Sequence, residues 1–478
     1  MLGIFIDHDA DKSFTAQLCD QLRQKIRQGD ITEGTRLPPS RKLAKEYGIA
    51  RNVVIDVYEQ LIAEGYLSAI TGSGTYVAEG ISKSSATDEQ EFLFAEQAAG
   101  AMEIEGRSAC STEEDDDCID FMTGVPDLTL FPNKLWGKYL KAAAEDARPE
   151  QYDYADIMGD LALRLEIGKY LYRTRGMRCP PERIMIVAGS SEGLLLIAHA
   201  FHSLYRSIYI EEPTIDFAHK IFRQMNYQIT PIDVDGAGMK VHEIESYKSD
   251  HLMLITPSHQ FPSGSILSIQ RRQLAVKLAK QADSYIIEDD YDGDFRLKGV
   301  PIPPLATLDP SRVLYLGTFS KTLAPGLRLG FIVIPQQHLV ARLKEAREAL
   351  NLRVPSIEQR ALAQFMRDGR LDRHIHKMKR LYRHRRQLLK ESIKRHFSDR
   401  AIVLGDEAGM HVLVEFKEDY GVDWQRSIEY GVRVYGVDDY YIKGGSYPRQ
   451  ILFGYGHVGN DQIEEGVRRL HQFVKERS

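Results

Sequence analysis

Tyr315-Leu-Gly-Thr-Phe-Ser-Lys321-Thr-Leu-Ala-Pro-Gly-Leu-Arg328-Leu-Gly330 is the stretch on which the fold of this chain turns. A short apolar run ends in small hydroxyl residues and a lysine. A Pro-Gly turn follows, and an arginine comes seven residues after the lysine. An apolar run of this length bounded by turn residues is a buried strand, so Lys321 stands at a strand end, where α/β proteins gather their chemistry. The lysine amine can condense with an aldehyde, and Ser320 and Arg328 can hold a phosphate dianion. The combination suits pyridoxal 5'-phosphate (PLP), carried as a Schiff base on Lys321.

Working outward, further apolar runs repeat the pattern at 184–187, 207–210, 252–255, 285–287, 313–316 and 331–334, several of them separated by helical stretches. That alternation predicts an α/β unit with a largely parallel sheet. The strand ends carry polar side chains suited to such a cofactor. Ala188-Gly-Ser190-Ser191-Glu-Gly193 opens a helix, whose N–H groups can bind phosphate or simply form a cap. Thr256-Pro-Ser-His259-Gln-Phe-Pro-Ser-Gly264 is a rigid polar loop, and His259 is expected among the cofactor-binding residues. Glu288-Asp289-Asp290-Tyr291-Asp292 places carboxylates and a phenol about thirty residues before Lys321. A carboxylate against a pyridine nitrogen keeps the ring protonated, and a tyrosine can hydrogen-bond its ring oxygen, O3′. Asp289 and Tyr291 fit those roles, although taken alone the acidic run also reads as a metal- or solvent-binding loop.

At 478 residues the chain is too long for one ordinary domain. A net charge of −6 means that any nucleic-acid contact must come from a local basic patch. The four cysteines, Cys19, Cys110, Cys118 and Cys179, lack metal-ligand spacing, and no metal is expected. The N-terminus has no basic region ahead of its apolar residues, and no apolar run approaches a membrane span, so a cytoplasmic location is expected. The expected domains are 1–80, a tether over 81–118 with a short helix at 92–101, and a body over 119–478. That body divides into a large part, about 160–345, and a small part, about 346–478 with 119–159.

In the first eighty residues, Leu18, Leu22 and Ile26 mark one amphipathic helix. A second runs from a cap at or near Ser40 to Tyr47, and a third from about Arg51 to Glu64. Two short strands joined by Thr71-Gly72-Ser73-Gly74 follow. This is a winged helix-turn-helix whose third helix would enter a major groove of double-stranded DNA by its N-terminal end. There Arg51 and Asn52 can reach base edges or phosphate, while Arg36 and Arg41 sit where the flanking backbone would pass. Ser40 and the wing residues Gly72, Ser73 and Gly74 are further expected DNA contacts, the wing glycines letting its backbone lie close to the sugar-phosphate chain. The very basic run 373–386 is either a solvated helix face or a further DNA contact.

Arg36-Leu-Pro-Pro-Ser-Arg41, Leu43-Ala44, Arg51-Asn52, Val57-Tyr58 and Glu64-Gly-Tyr-Leu67 resemble the GntR winged helix. The remainder resembles a fold-type I aminotransferase, down to Gly124-Val-Pro-Asp127 and Leu130-Phe-Pro132. The whole chain is similar to the MocR/GabR family of transcriptional regulators. The resemblance implies an α/β chain with an N-terminal winged helix, a PLP-binding large domain with a mixed, mostly parallel sheet, and a smaller C-terminal α+β domain. It implies Lys321 as the Schiff-base lysine, Asp289 and Tyr291 against the ring, and Ser190, Ser191, Ser320 and Arg328 around the phosphate. It also implies a head-to-tail homodimer reading an operator with spaced half-sites, and a small amine, an amino acid or PLP as effector. The alternative is a working aminotransferase with an accessory winged helix. Two departures argue against efficient turnover. Phe261-Pro-Ser-Gly264 stands where aminotransferases have Asn-Pro-Thr-Gly, and Ile215 where an aromatic ring often stacks on the cofactor, leaving Phe217 as a substitute. An effector carboxylate would need an arginine, either Arg449, offset from the usual spacing before its strand, or Arg433.

Overall fold

The computed structural model of the chain describes residues 2–7, 12–70, 72–79, 117–154, 156–244, 248–298 and 303–477. The expected tether, with its short helix at 92–101, lies outside the described residues apart from its last two positions. The chain forms two compact units, Met1–Ser108 and Ala109–Ser478.

The first unit holds α1 (Phe14–Gln28), α2 (Ser40–Tyr47), α3 (Arg51–Ala63) and the hairpin of β1 (Leu67–Ile70) and β2 (Gly74–Val77). The spacing of four in α1 buries Leu18, Leu22 and Ile26 against Leu43, Val54, Val57 and Leu61. Ser13 caps α1 by accepting from the Ala16 N–H, and Gly29, left-handed at φ 82°, ends it. The expected cap at Ser40 is corrected: Pro39 occupies the N-cap position, Ser40 is the first helical residue, and no side chain caps α2. Ser40 instead accepts a 3.4 Å hydrogen bond from Arg51 Nε, tying the starts of α2 and α3 together. Strands β1 and β2 pair antiparallel from Leu67↔Val77 to Ile70↔Gly74.

The second unit opens with β3 (Ile119–Asp120), followed by α4 (Asn133–Glu145), α5 (Leu161–Arg175), β4 (Ile184–Val187), α6 (Ser190–Phe201), β5 (Ser207–Glu212), α7 (Asp216–Gln224), β6 (Gln228–Asp235), β7 (Gly238–Met239), β8 (His251–Ile255), α8 (Ile269–Gln281), β9 (Ile286–Asp290), α9 (Leu305–Leu308), β10 (Val313–Thr318) and β11 (Gly330–Val333). Its eight-stranded sheet runs β4-β11-β10-β9-β8-β5-β6-β7. The neighbours from β10 to β6 are parallel, while β11 is antiparallel to both β10 and β4. The apolar runs are continuous because both faces are covered. Ile184, Ile186, Met253, Ile255 and Tyr315 face one core cluster, while Met185, Val187, Leu252, Leu254, Leu314 and Leu316 face the other.

The remaining elements are α10 (Gln337–Ala349), α11 (Ser356–Arg367), α12 (Arg370–Phe397), β12 (Ala401–Leu404), β13 (His411–Phe416), β14 (Val432–Arg433), β15 (Tyr435–Gly436), β16 (Gln450–Gly454) and α13 (Asn460–Arg477). Strands β12-β13-β16-β15 form an antiparallel sheet, and β14 pairs in parallel with β3. The basic run 373–386 lies on α12 and is not uniformly solvated. Arg385 is buried on Asp127 at 2.7 Å, and Arg386 is buried and donates to the Asp406 carbonyl. Among the described residues no helix is long and apolar enough to cross a membrane.

Candidate cofactor pocket and nucleic-acid interface

The antiparallel turn from β10 to β11 places Lys321 just past the C-terminal end of β10. Its Nζ donates to the Gly124 carbonyl at 2.7 Å. Gly124 is left-handed (φ 77°), and a Cβ there would lie 2.8 Å from Nζ, so glycine is what admits the lysine. Burial pushes the Lys321 amine below its ordinary range, against the opposing pull of the Asp292 and Asp289 carboxylates. A lowered proton affinity increases the share of the unprotonated, nucleophilic amine.

Asp289 and Asp290 sit side by side on β9, and strand alternation sends them to different partners. Asp290 accepts from the Tyr315 hydroxyl and pairs with Arg175 Nε at 3.0 Å. Asp289 is buried and its Oδ1 has no hydrogen-bond partner. Burial above all, and then the Asp290 and Asp292 carboxylates, push it up to about 7, with Lys321 pulling the other way. A buried carboxylate oxygen without a donor is costly unless a ligand supplies one. A protonated ring nitrogen is such a donor.

The neighbouring strand ends gather groups able to hold a phosphate. Ser190 and Ser191 open α6 behind Gly189, whose φ of 88° favours glycine. Arg328, left-handed at φ 48°, donates to the Ala188 carbonyl. A Cβ on Gly189 would lie 3.3 Å from the Arg328 guanidinium, and one on Gly330 would lie 3.0 Å from the Gly189 Cα. The helix N-terminus, Arg328 and Gly330 are therefore packed together. Ser320 completes the group, its Oγ accepting from Thr318 at 3.0 Å. Helix N–H groups, hydroxyls and a guanidinium make a dianion site. The orphaned Asp289 oxygen, the buried lysine with its lowered proton affinity and these phosphate-binding groups together fit the residues to PLP.

Tyr291 packs against the cluster of Phe261, Leu413, Val437 and Leu452. Burial, followed by Asp292, Asp289 and Glu211, pushes its phenol well above the ordinary range, so it remains a donor. His259 lies within 3.2 Å of the Tyr291 hydroxyl. Phe217 is half-buried in the first turn of α7 and packs on the core beside Ile215. Neither arginine expected for a carboxylate touches Lys321, Asp289 or Tyr291 among the described contacts. Arg449 is exposed and donates to the Lys417 carbonyl at 3.3 Å, and Arg433 faces Asp120 at 3.6 Å. In β16 the neighbouring face, that of Gln450 and Leu452, is the one turned toward Tyr291's cluster.

Two residues of this neighbourhood, Glu211 and His411, escaped the sequence, as did the pairing of Asp292. Glu211 is buried, accepts from the Thr256 N–H and hydroxyl, and is pushed up to about 7 by burial. Its position at the end of β5 beside the Glu212-Pro213 peptide was the available signal. Asp292 was visible in the acidic run, but its partner lies 33 residues away in sequence.

In the first unit Arg51 and Asn52 are exposed at the start of α3, with Arg36 and Arg41 exposed nearby. Gly72 and Gly74 are both at positive φ, and Ser73 Oγ is 2.6 Å from the Tyr76 hydroxyl. A Cβ on Gly74 would meet Arg36 Nε at 2.9 Å, so Arg36 lies against the wing. The expected DNA contacts thus gather on exposed parts of one small fold.

Residues 14–77 match the family model of bacterial regulatory proteins, gntR family. The chain is 31% identical over 479 residues to the probable rhizopine catabolism regulatory protein MocR of Rhizobium meliloti, covering 98% of this chain and 95% of the relative. It is 32% identical over 394 residues to the HTH-type pyridoxine biosynthesis transcriptional regulator PdxR of Corynebacterium glutamicum, covering 82% and 81%. The structure is similar to that of kynurenine aminotransferase from Pyrococcus horikoshii, solved in complex with PMP. That comparison has a TM-score of 0.69 and 26% identity, and covers 82% of this chain and 99% of the enzyme.

Proposed function

The chain belongs to the MocR family of HTH-type transcriptional regulators, and on that premise we propose that its DNA-binding unit answers to PLP held in the pocket around Lys321. When bound, PLP supplies an aldehyde that exchanges amines and a ring that withdraws electrons. Lys321 would hold the aldehyde, Asp289 the ring nitrogen and Tyr291 the ring oxygen. Ser190, Ser191, Ser320 and Arg328 would hold the phosphate. The observation that carries this reading is the orphaned Asp289 oxygen, buried and coupled to Lys321. A small amine, an amino acid or PLP itself is the proposed effector. A head-to-tail homodimer would present two winged helices to spaced half-sites. The exposed Arg51 and Asn52 support direct base contact by α3, and Arg36, Arg41 and the 72–74 wing support backbone contact.

Loading tests the pocket. The full chain incubated with PLP should turn yellow, with absorbance near about 420 nm as expected of PLP held on a lysine. Lys321→Ala should keep its fold and lose the covalently held cofactor. A wild-type chain that stays colourless and cannot be loaded contradicts the reading.

A further inference from the structure

Next to the pocket lies a pair that the cofactor roles above leave unused. His259 Nδ1 is 2.8 Å from Asp292 Oδ2, and the two side chains are 0% and 2% exposed. His259 Nε2 is 3.3 Å from the Gly405 carbonyl. The Gly409 backbone packs closely on the pair. A Cβ on Gly409 would fall 2.3 Å from His259 Cε1 and 2.4 Å from Asp292 Oδ2, and Gly409 is left-handed at φ 75°.

We propose, building on the PLP reading, that His259 is a positioning residue: with Asp292 it forms a buried charged pair that keeps the Tyr291 hydroxyl proton available to the cofactor's ring oxygen. The argument is one of donors and acceptors. A carbonyl only accepts, and an ionised carboxylate only accepts. Both ring nitrogens of His259 therefore carry hydrogen, and the ring is an imidazolium. The Tyr291 hydroxyl, 3.2 Å from Nδ1, then finds no lone pair there and cannot spend its proton on His259. In the cofactor-free chain Asp292 engages that hydroxyl, and an oxygen on the pocket side competes for the proton only with this carboxylate, which His259 already occupies.

The groups facing His259 agree. Asp292 and the Gly405 carbonyl raise it, while burial, the largest influence, and Arg296 lower it, and the net direction is upward. His411 on β13, with ring centroids 4.8 Å apart, gives its own Nε2 to the Pro262 carbonyl at 3.3 Å and is held neutral by burial. His259, Asp292 and His411 are close enough to suggest a metal site, but both His259 nitrogens already face acceptors and offer no lone pair.

Two measurements on the full chain test this. In the cofactor-free protein, ¹⁵N spectra of the histidine side chains at about pH 8, well above the ordinary histidine range, should show one ring protonated on both nitrogens. That signal should vanish in His259→Asn, and Asp292→Asn should convert it to a neutral ring. A wild-type His259 that is neutral at that pH overturns the proposal. In the PLP-loaded protein, the absorbance of the bound cofactor is followed against pH. With the Tyr291 proton no longer directed to it, the ring oxygen's negative charge is less stabilised and the more protonated form is favoured, so the midpoint in His259→Asn should rise by about one pH unit or more. In a Tyr291→Phe background the same change should add nothing. An unmoved midpoint, or a shift that persists in full without Tyr291, overturns the proposal. Failure to load PLP at all would instead contradict the proposed function, and the nitrogen spectra, which need no cofactor, would still judge His259.

Discussion

At the scale of single residues, Asp289 trades stability for binding. Its folded-state affinity for a proton is raised to about 7, above the ordinary carboxylate range. As pH rises above the ordinary value of about 4, the unfolded chain releases this proton while the folded chain keeps it, so stability falls up to about pH 7 and then levels. The slope is on the order of 1.4 kcal/mol per pH unit where the two states differ by a full proton. In the cofactor-free chain Asp289→Asn should therefore be more stable than wild type at pH 8 and indistinguishable from it near pH 4, as read by urea denaturation. The same variant should hold PLP more weakly, because a neutral amide cannot keep a ring nitrogen charged. Equal stability at both pH values would mean that Asp289 is solvated and the pocket is not built as described. Glu211, raised to about 7 for the same reason, adds to the slope.

At the scale of elements, the winged helix separates two kinds of contact. Arg51 stands at the start of α3, and Arg51→Ala should cost about 1–3 kcal/mol at one base position if it reads an edge. Gly74→Ala acts through the wing. At φ 136° an L side chain is strained, and its Cβ would displace Arg36. Binding should weaken about equally on all sequences, with the salt slope reduced by roughly one counterion. Binding titrations at several salt concentrations, on operator and scrambled DNA, distinguish the two effects. A sequence-dependent loss in Gly74→Ala, or a uniform one in Arg51→Ala, would reverse these assignments.

The strands with unbroken apolar runs were legible because both faces of the sheet are covered. Strand β6 (Gln228–Asp235) was not, since it is only partly covered and carries Pro231 in its middle. The lysine, the acidic loop and the Gly-Ser-Ser turn were legible because each sits at a strand end. The His259–Asp292 contact was not, because only the folded sheet brings those loops together. Arg449 stood out in the sequence as an arginine before an apolar strand, yet a one-residue offset in a strand reverses the face a side chain occupies.

At the scale of the whole molecule, a PLP-type pocket and a DNA-binding unit share one chain, and coupling between them is a difference in free energy between states. A cofactor or amine that prefers one state shifts the population toward it and carries operator affinity with it. The expected coupling is about 1–3 kcal/mol, several-fold to about a hundredfold in affinity or an equivalent change in bending. The most direct measurement is operator binding and bend angle for the full chain without PLP, with PLP, and with PLP plus candidate amines, in wild type and Lys321→Ala. The expected result is a change of at least several-fold, or a changed bend, in wild type that Lys321→Ala abolishes. Identical affinity and bending in every condition would contradict the account, leaving the pocket without a voice in DNA recognition.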